Sequence, residues 1–305
     1  MRCLILAVGV LMVFTLLSSC NKRVSDAAET FPEVNLPAYG EENTLEVLSW
    51  NIEQFAKHGR TIENVRDIIL DLDTDILAVQ EITNNSDFDR LLDSLNAASD
   101  TEWDGRLNQF SANLITGIIY KKPLVTVESD THLFVGDFDF AGRPPYVLYL
   151  RTENNSRIFD FTLIVLHLKA FQDDESRARR RRAIEKLENW VARQLQDPNN
   201  DPDFILAGDW NDELDQPPGE NVFLPFLSDT ANYDFLTQPL VGVPGEFTFL
   251  GGGFESLIDH IMMTRSIDTA YPAYSSQILK IDQSVVNYEE QVSDHRPVGA
   301  KYPAF

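Results

Sequence analysis

The chain has 305 residues with 25 basic and 48 acidic side chains, a formal net charge of −23, and two cysteines, Cys3 and Cys20. A surface of that sign repels polyanions at long range and argues against tight nonspecific nucleic-acid binding, so a phosphate-bearing substrate has to be met by a local cation cluster or by metal ions. With both cysteines at the extreme start, the rest of the chain has no thiol for nucleophilic catalysis or a cysteine-based zinc site.

The first residues, "MRCLILAVGVLMVFTLLSSC", combine a short basic start, an apolar run and small residues before a cysteine. That is the pattern of a secretory signal peptide over residues 1–19, and its apolar core is short for a membrane span. "LSSC" (Leu17–Cys20) resembles the cleavage box of bacterial lipoproteins, which implies that Cys3 is removed and Cys20 becomes the lipidated first residue. The protein is then expected outside the cytoplasm, tied to a membrane by lipid without crossing it. Residues 20–42 are polar, carry Pro32 and Pro37, show no clear period and read as a tether. Residues 43–305 are long enough for one large domain, and no mid-chain linker cuts them.

Apolar, β-rich runs then recur at 45–52, 75–82, 114–120, 145–152, 159–169, 203–210, 245–251, 256–263 and 296–302. Ile62, Val65, Ile69 and Leu72 repeat at three-and-four spacing and predict a helix over 61–72. Ile184, Leu187, Val191 and Leu195 predict another from about 175 to 196. Elsewhere strands follow one another directly. The pattern is a layered α/β domain with mixed sheets rather than a strict βαβ repeat.

Several of these strands carry polar groups for which packing gives no reason. "SWNIEQF" sets Asn51 and Glu53 after an apolar run, and "AVQEI" ends on Glu81 and Ile82. "IVLHLKA" embeds His167, "LIDHIM" embeds Asp259 and His260, and "VSDHRPV" carries Asp294 and His295. In "ILAGDWND", period two would put Asp209 and Asn211 on one side if the strand continues, while Gly, Asp and Asn also make an ordinary turn. Each residue has a bland reading: a turn, a strand end, a satisfied core histidine. Together they need partners, because charged groups in apolar strands are costly unless paired, and a shared metal-centred neighbourhood supplies those partners.

The pieces "LSWNIE", "LAVQE", "HLKAF", "LAGDWND", "IDHIM" and "SDHRP" stand in an order that resembles the endonuclease/exonuclease/phosphatase superfamily, the DNase I-like proteins. The resemblance spans about 45 to 302. It implies a four-layered α/β sandwich with two packed mixed β-sheets flanked by helices, and phosphoester hydrolysis with Mg²⁺ or Mn²⁺. It implies metal binding by Glu81, Asn51, Glu53 and Asp294, with Glu standing at 53 where the family pattern has Asp. Asp209 falls at the residue that positions or deprotonates the attacking water, and Asn211 at its phosphate-holding neighbour. Asp259 falls at the acid that orients His295, the phosphate-contacting histidine. His167 matches the nuclease and sphingomyelinase branches, and Asn51 and Arg143 are further phosphate contacts on this reading.

These assignments agree with the chemistry. A phosphate diester repels nucleophiles by its own charge, which a hard cation held by carboxylate and amide oxygens offsets. The expected activity is that of a nuclease on phosphodiesters, acting as a monomer. A sphingomyelin, phospholipid-headgroup or inositol-phosphate hydrolase is the alternative, and a catalytically silent binding lipoprotein is the reading from another class. "SRARRRR" (Ser176–Arg182) reads as a solvated helix start paired with nearby acids, one or two of its arginines being close enough in sequence to His167 to reach substrate. "DLDTD" (71–75) reads as a helix end, "GGG" (251–253) as a hairpin turn, and Phe134, Phe138 and Phe140 as strand residues.

Overall fold

In the computed structural model, residues 34–305 are described. The signal segment, Cys20 and most of the tether therefore lie outside the described residues. The elements in order are β1 (Leu45–Phe55), α1 (Thr61–Leu72), β2 (Ile76–Ile82), α2 (Asn85–Ala98), β3 (Trp103–Leu107), β4 (Ile115–Lys121), β5 (Val125–His132), β6 (Tyr146–Asn154), β7 (Arg157–His167), α3 (Asp174–Gln196), β8 (Phe204–Asp209), α4 (Leu224–Leu227), β9 (Tyr233–Phe235), β10 (Asp259–Thr264), α5 (Arg265–Ala270), β11 (Ser275–Ile278), α6 (Tyr288–Gln291) and β12 (Val298–Tyr302).

The strands form two six-stranded sheets, ordered β11-β12-β1-β2-β4-β3 and β5-β6-β7-β8-β10-β9. Each contains one parallel pair, β1 with β2 and β7 with β8, and each pair is joined by a helix, as a parallel connection requires. Alternation decides what each sheet buries. Val47, Ala78, Ile118 and Ala300 of one sheet meet Leu148, Phe161, Val165 and Ala207 of the other in a central core. The opposite face of the first sheet, with Leu48, Trp50 and Leu77, packs on Val65, Ile68 and Ile69 of α1 and Leu91 of α2. Ile164 and Leu206 of the second sheet pack on Ile184, Leu187 and Val191 of α3. The result is the four-layered sandwich with two mixed sheets that the resemblance implies.

Both predicted helices are present, and α1 ends at Leu72 with Asp73 in the left-handed region as its cap. The predicted strand over 245–251 is not formed; Phe249 makes isolated bridges to Ser256 and His295. Phe134, Phe138 and Phe140 are not strand residues but lie in the connection between β5 and β6, where Phe140 is buried and Phe138 exposed. The sequence reading missed α2 and the strands β3, β5, β9 and β11. These are short or half-solvated, and α2 buries only Phe88, Leu91 and Leu95. At the end of the segment read as a tether, Leu36 and Tyr39 are buried. There the Leu36 N–H donates to Asp71 Oδ2 at 2.8 Å, and those of Tyr39 and Gly40 donate to the Leu72 carbonyl at 2.9 Å. This stretch closes the open carbonyl end of α1.

Candidate active site

Strand register assembles half of the site. In the second sheet His167 of β7 lies opposite Asp209 of β8, and Asp209 lies opposite Asp259 of β10. Three chemically active side chains thus sit in one row across three adjacent strand ends. The close approach of β7 requires Gly208, because a Cβ there would lie 2.1 Å from the Leu166 carbonyl oxygen. The first sheet supplies Asn51 from β1 and Glu81 from β2. Both strands lose regular register here, between Asn51 and Phe55 and between Val79 and Ile82. Glu81 sits at φ +67° and Glu53 and Gln54 at +29° and +45°, conformations that cost a non-glycine residue energy and that cluster at functional sites. The bulges turn the Glu81 and Asn51 side chains toward the row in the other sheet.

The two halves meet through Asn51. Its Nδ2 donates to Asp209 Oδ2 at 3.1 Å and to Glu81 Oε1 at 3.3 Å. Its Oδ1 accepts the Glu53 N–H at 3.0 Å. Asn51 thus presents N–H groups to the two carboxylates while its oxygen accepts one backbone N–H. Glu81 Oε2 accepts the Gln54 N–H at 3.0 Å. His167 Nε2 stands 3.7 Å from Glu81 Oε1 and 3.6 Å from Asp209 Oδ2. Burial, reinforced by Arg143 and His295, holds His167 well below its usual pKa, so it is a neutral imidazole.

His295 and Asp294 come from the loop before β12. The Ser293 hydroxyl donates to the Asn51 carbonyl and accepts the His295 N–H, and the Trp50 indole N–H donates to the His295 carbonyl. His295 Nδ1 pairs with Asp259 Oδ2 at 2.8 Å. Burial alone would lower the pKa of His295, but the carboxylate of Asp259, with Asp209 and Asp294 behind it, raises it to about 10. It is an imidazolium at neutral pH. Burial and the adjacent Asp259 push Asp209 up to about 7, against the opposing pull of His295 and the Asn51 hydrogen bond.

After Asp209 the strand does not continue. Asn211 turns to φ +56° and donates its N–H to Asp209 Oδ1 at 2.9 Å, an Asx turn. Trp210 between them is fully buried among Phe223, Phe226 and Phe235, which anchors the turn. Asp209 and Asn211 make this turn and also line one cavity, about 600 Å³ in volume, with Glu53, Glu81, His167, Asp294 and His295.

Other predicted residues lie elsewhere. Arg143 is buried behind the end of β7, its Nε donating to the His167 carbonyl at 2.9 Å and its Nη2 to that of Leu168 at 2.7 Å. It orients the histidine segment instead of facing a phosphate. The Glu53 carboxylate pairs with Lys57 and accepts the Asp294 N–H, both through Oε2, so it braces the loop that carries Asp294. His260 is a satisfied core histidine between Thr237 Oγ1 and the Asp212 carbonyl. The arginines of 177–182 turn to acids or carbonyls: Arg177 to Asp174 and Glu220, Arg179 to Phe138, Arg180 to Asp212, Arg181 to Gly219 and Glu220, Arg182 to Asp139 and Glu175. Sequence reasoning missed Phe171 and Phe254 on the cavity wall and Phe249 against the His295 ring, 5.1 Å between centroids. The "GGG" stretch also lines the cavity, and a Cβ on Gly251 would lie 2.5 Å from the Phe249 ring and 3.0 Å from Asp294 Oδ2.

The donor set fits a hard divalent cation. Asp209, Asp259 and His295 have ligand-capable atoms within 4.8 Å of one another. His295 is charged and tied to Asp259, so it is a poor ligand; the available oxygens are those of Glu81, Asp209 and Asp294. Four carboxylates around one imidazolium, with Arg143 behind, leave the cluster net negative, a charge that a divalent ion offsets.

Carboxylates, a charged histidine and an acid–amide turn are gathered where the edges of the two sheets meet, in a sandwich of the DNase I-like fold. The sequence matches the endonuclease/exonuclease/phosphatase family over residues 48–295, and the chain belongs to that family of phosphoester hydrolases, which generally depend on divalent metal. No curated protein matches it. Among solved structures, it is similar to truncated TDP2 of Caenorhabditis elegans, with 17% identity, 85% of this chain and 97% of that one covered, and a TM-score of 0.58. It is similar to the human Nocturnin catalytic domain with bound sulfate, at 18% identity, 88% and 96% coverage and 0.58. A Bacteroides thetaiotaomicron mannosyl-6-phosphatase gives 18% identity, 84% and 98% coverage and 0.56.

Proposed function

We propose that this protein hydrolyses phosphodiesters with Mg²⁺ or Mn²⁺, and that Asp209 is the proton acceptor for the attacking water. The observation that carries this reading is the row His167–Asp209–Asp259 facing Asn51 and Glu81 across the sheet junction. Glu81 would hold the cation with Asp294 beside it; the ion's chemistry is to offset phosphate charge and support the leaving oxygen. Asp209 takes the water proton, held in place by the Asn51 amide and the Asn211 N–H. His295, kept charged by Asp259, meets a phosphate oxygen through Nε2.

Nucleic acid belongs among the candidate substrates, as single strands or ends. The net charge of −23 and the commitment of arginines 177–182 to ion pairs and carbonyls argue against a track for duplex backbone. The "LSSC" box supports a lipid anchor at Cys20 and a place outside the cytoplasm, attached to a membrane. Among the described residues, no helix is long and apolar enough to cross a membrane. The test is turnover by the mature protein with Mg²⁺ or Mn²⁺ of single-stranded DNA, RNA, plasmid, sphingomyelin and inositol phosphates. Turnover abolished by EDTA and by Asp209→Asn supports the reading; turnover of any substrate that survives both refutes it.

A further inference from the structure

The mechanism leaves unused two side chains that share its cavity. Phe171 and Phe254 are the two most exposed large apolar residues described, at 71% and 69%, and both line the cavity that holds Glu81, Asp209 and His295. They come from separate loops, one after β7 and one before β10. Single exposed phenylalanines are ordinary, but two on the wall of one reactive cavity are not scattered surface.

The Phe171 ring is held on one side. Phe171 sits at φ +79°, and its carbonyl accepts Nη1 of the buried Arg180 at 2.7 Å. The Lys169 ammonium lies over one face of its ring, 4.1 Å from the centroid. Phe254 follows Gly252 and Gly253, whose φ values of +66° and +79° set the loop, and Phe249 of the same loop packs on His295. The cavity, at about 600 Å³, has the size of an organic-ligand site rather than of a lone phosphate. Its carboxylates disfavour a second anionic group there, whereas an uncharged flat ring meets no such penalty.

We infer that Phe171 and Phe254 form a stacking subsite for a flat aromatic group, a nucleobase or an aryl ester, carried on the phosphorus that reacts at Asp209. This rests on the hydrolase reading for its substrate but is tested without turnover. Stacking on a protein ring changes affinity by about tenfold or more per base, and it requires a π-face. A saturated ring of similar size has apolar area and no such face.

The test is calorimetric binding of phenylphosphonate, cyclohexylphosphonate and methylphosphonate to the full mature protein with Mg²⁺, for wild type and the Phe171→Ala/Phe254→Ala double variant. Phenylphosphonate should bind at least tenfold tighter than the other two, and the double variant should lose that preference. Phe171→Trp should keep it. Equal affinities, no binding of any phosphonate, equal gain for cyclohexyl and phenyl, or a preference that survives the double variant would each overturn the inference. Hydrolysis of bis(p-nitrophenyl) phosphate is assayed separately; its absence would strike the hydrolase reading and leave the binding result to judge the subsite.

Discussion

Arg180 and Asp212 form an ion pair at 2.9 Å in which the two side chains are 0% and 3% exposed. Arg180 Nη1 also donates to the carbonyls of Lys169 and Phe171, each at 2.7 Å. One arginine on α3 therefore clasps the segment after His167 to the segment after Asp209. Asp212 is not a bland neighbour of the site, and the sequence offered no sign of this. Removing one member of a buried pair leaves the other uncompensated, at a cost of about 3–5 kcal/mol. Arg180→Met and Asp212→Leu should each destabilise the fold by that order, and Arg180→Met/Asp212→Leu should recover part of it. Urea unfolding of the four proteins measures the coupling; additive losses would mean the pair does not act as one unit.

Glu81→Gln keeps the volume of the side chain and removes its charge. Loss of a residue that merely supports a ligand typically weakens metal binding by about 10–100-fold, so loss of the ligand itself should cost at least as much. The Mg²⁺ or Mn²⁺ titration midpoint, read by calorimetry, should rise accordingly. An unchanged midpoint would move the cation away from Glu81.

Asp209→Asn removes the proton acceptor while Asn suits the turn equally well. The expected loss in turnover is about two to four orders of magnitude, with the fold intact by circular dichroism. Because Asp212 carries the buried ion pair, the suitable comparison is Asp215→Asn, an exposed acid in the same loop. Similar rates for the two variants would show that Asp209 is only a turn residue.

His260 predicts an acid-side loss of stability. Burial, against the weaker opposing effects of its bond to the Asp212 carbonyl and of Asp259, lowers its pKa to about 4. The unfolded chain takes up the proton near pH 6.5 and the folded chain only near 4. The stabilisation is therefore full above 6.5, falls as pH drops toward 4, and amounts to about 3 kcal/mol. Urea midpoints at pH 7, 5.5 and 4 should converge between wild type and His260→Gln as the pH falls. A difference constant with pH would refute it.

Cys20→Ser should abolish lipid labelling and leave the precursor unprocessed. Equal labelling of wild type and variant would remove the anchor.

Much was legible from residue order alone. Period-two and period-3.6 patterns located the long core strands and both crossover helices, because deep burial forces a regular apolar face. Glu81, Asp209, Asp259 and His295 stood out because a charge inside an apolar run needs a partner. What the sequence determined is thus the buried frame and the residues that packing leaves unexplained. Only the tertiary structure decided which of those meet. Register put His167, Asp209 and Asp259 in line; bulges in β1 and β2 aimed Asn51 and Glu81 at them. It turned Arg143 to the His167 and Leu168 carbonyls, because the direction of a long side chain is set by the carbonyls and charges it finds across space. It also brought Phe171 and Phe254, 83 positions apart, to one cavity. Local patterns record what each segment buries, whereas a site is made of long-range neighbours that no short stretch encodes.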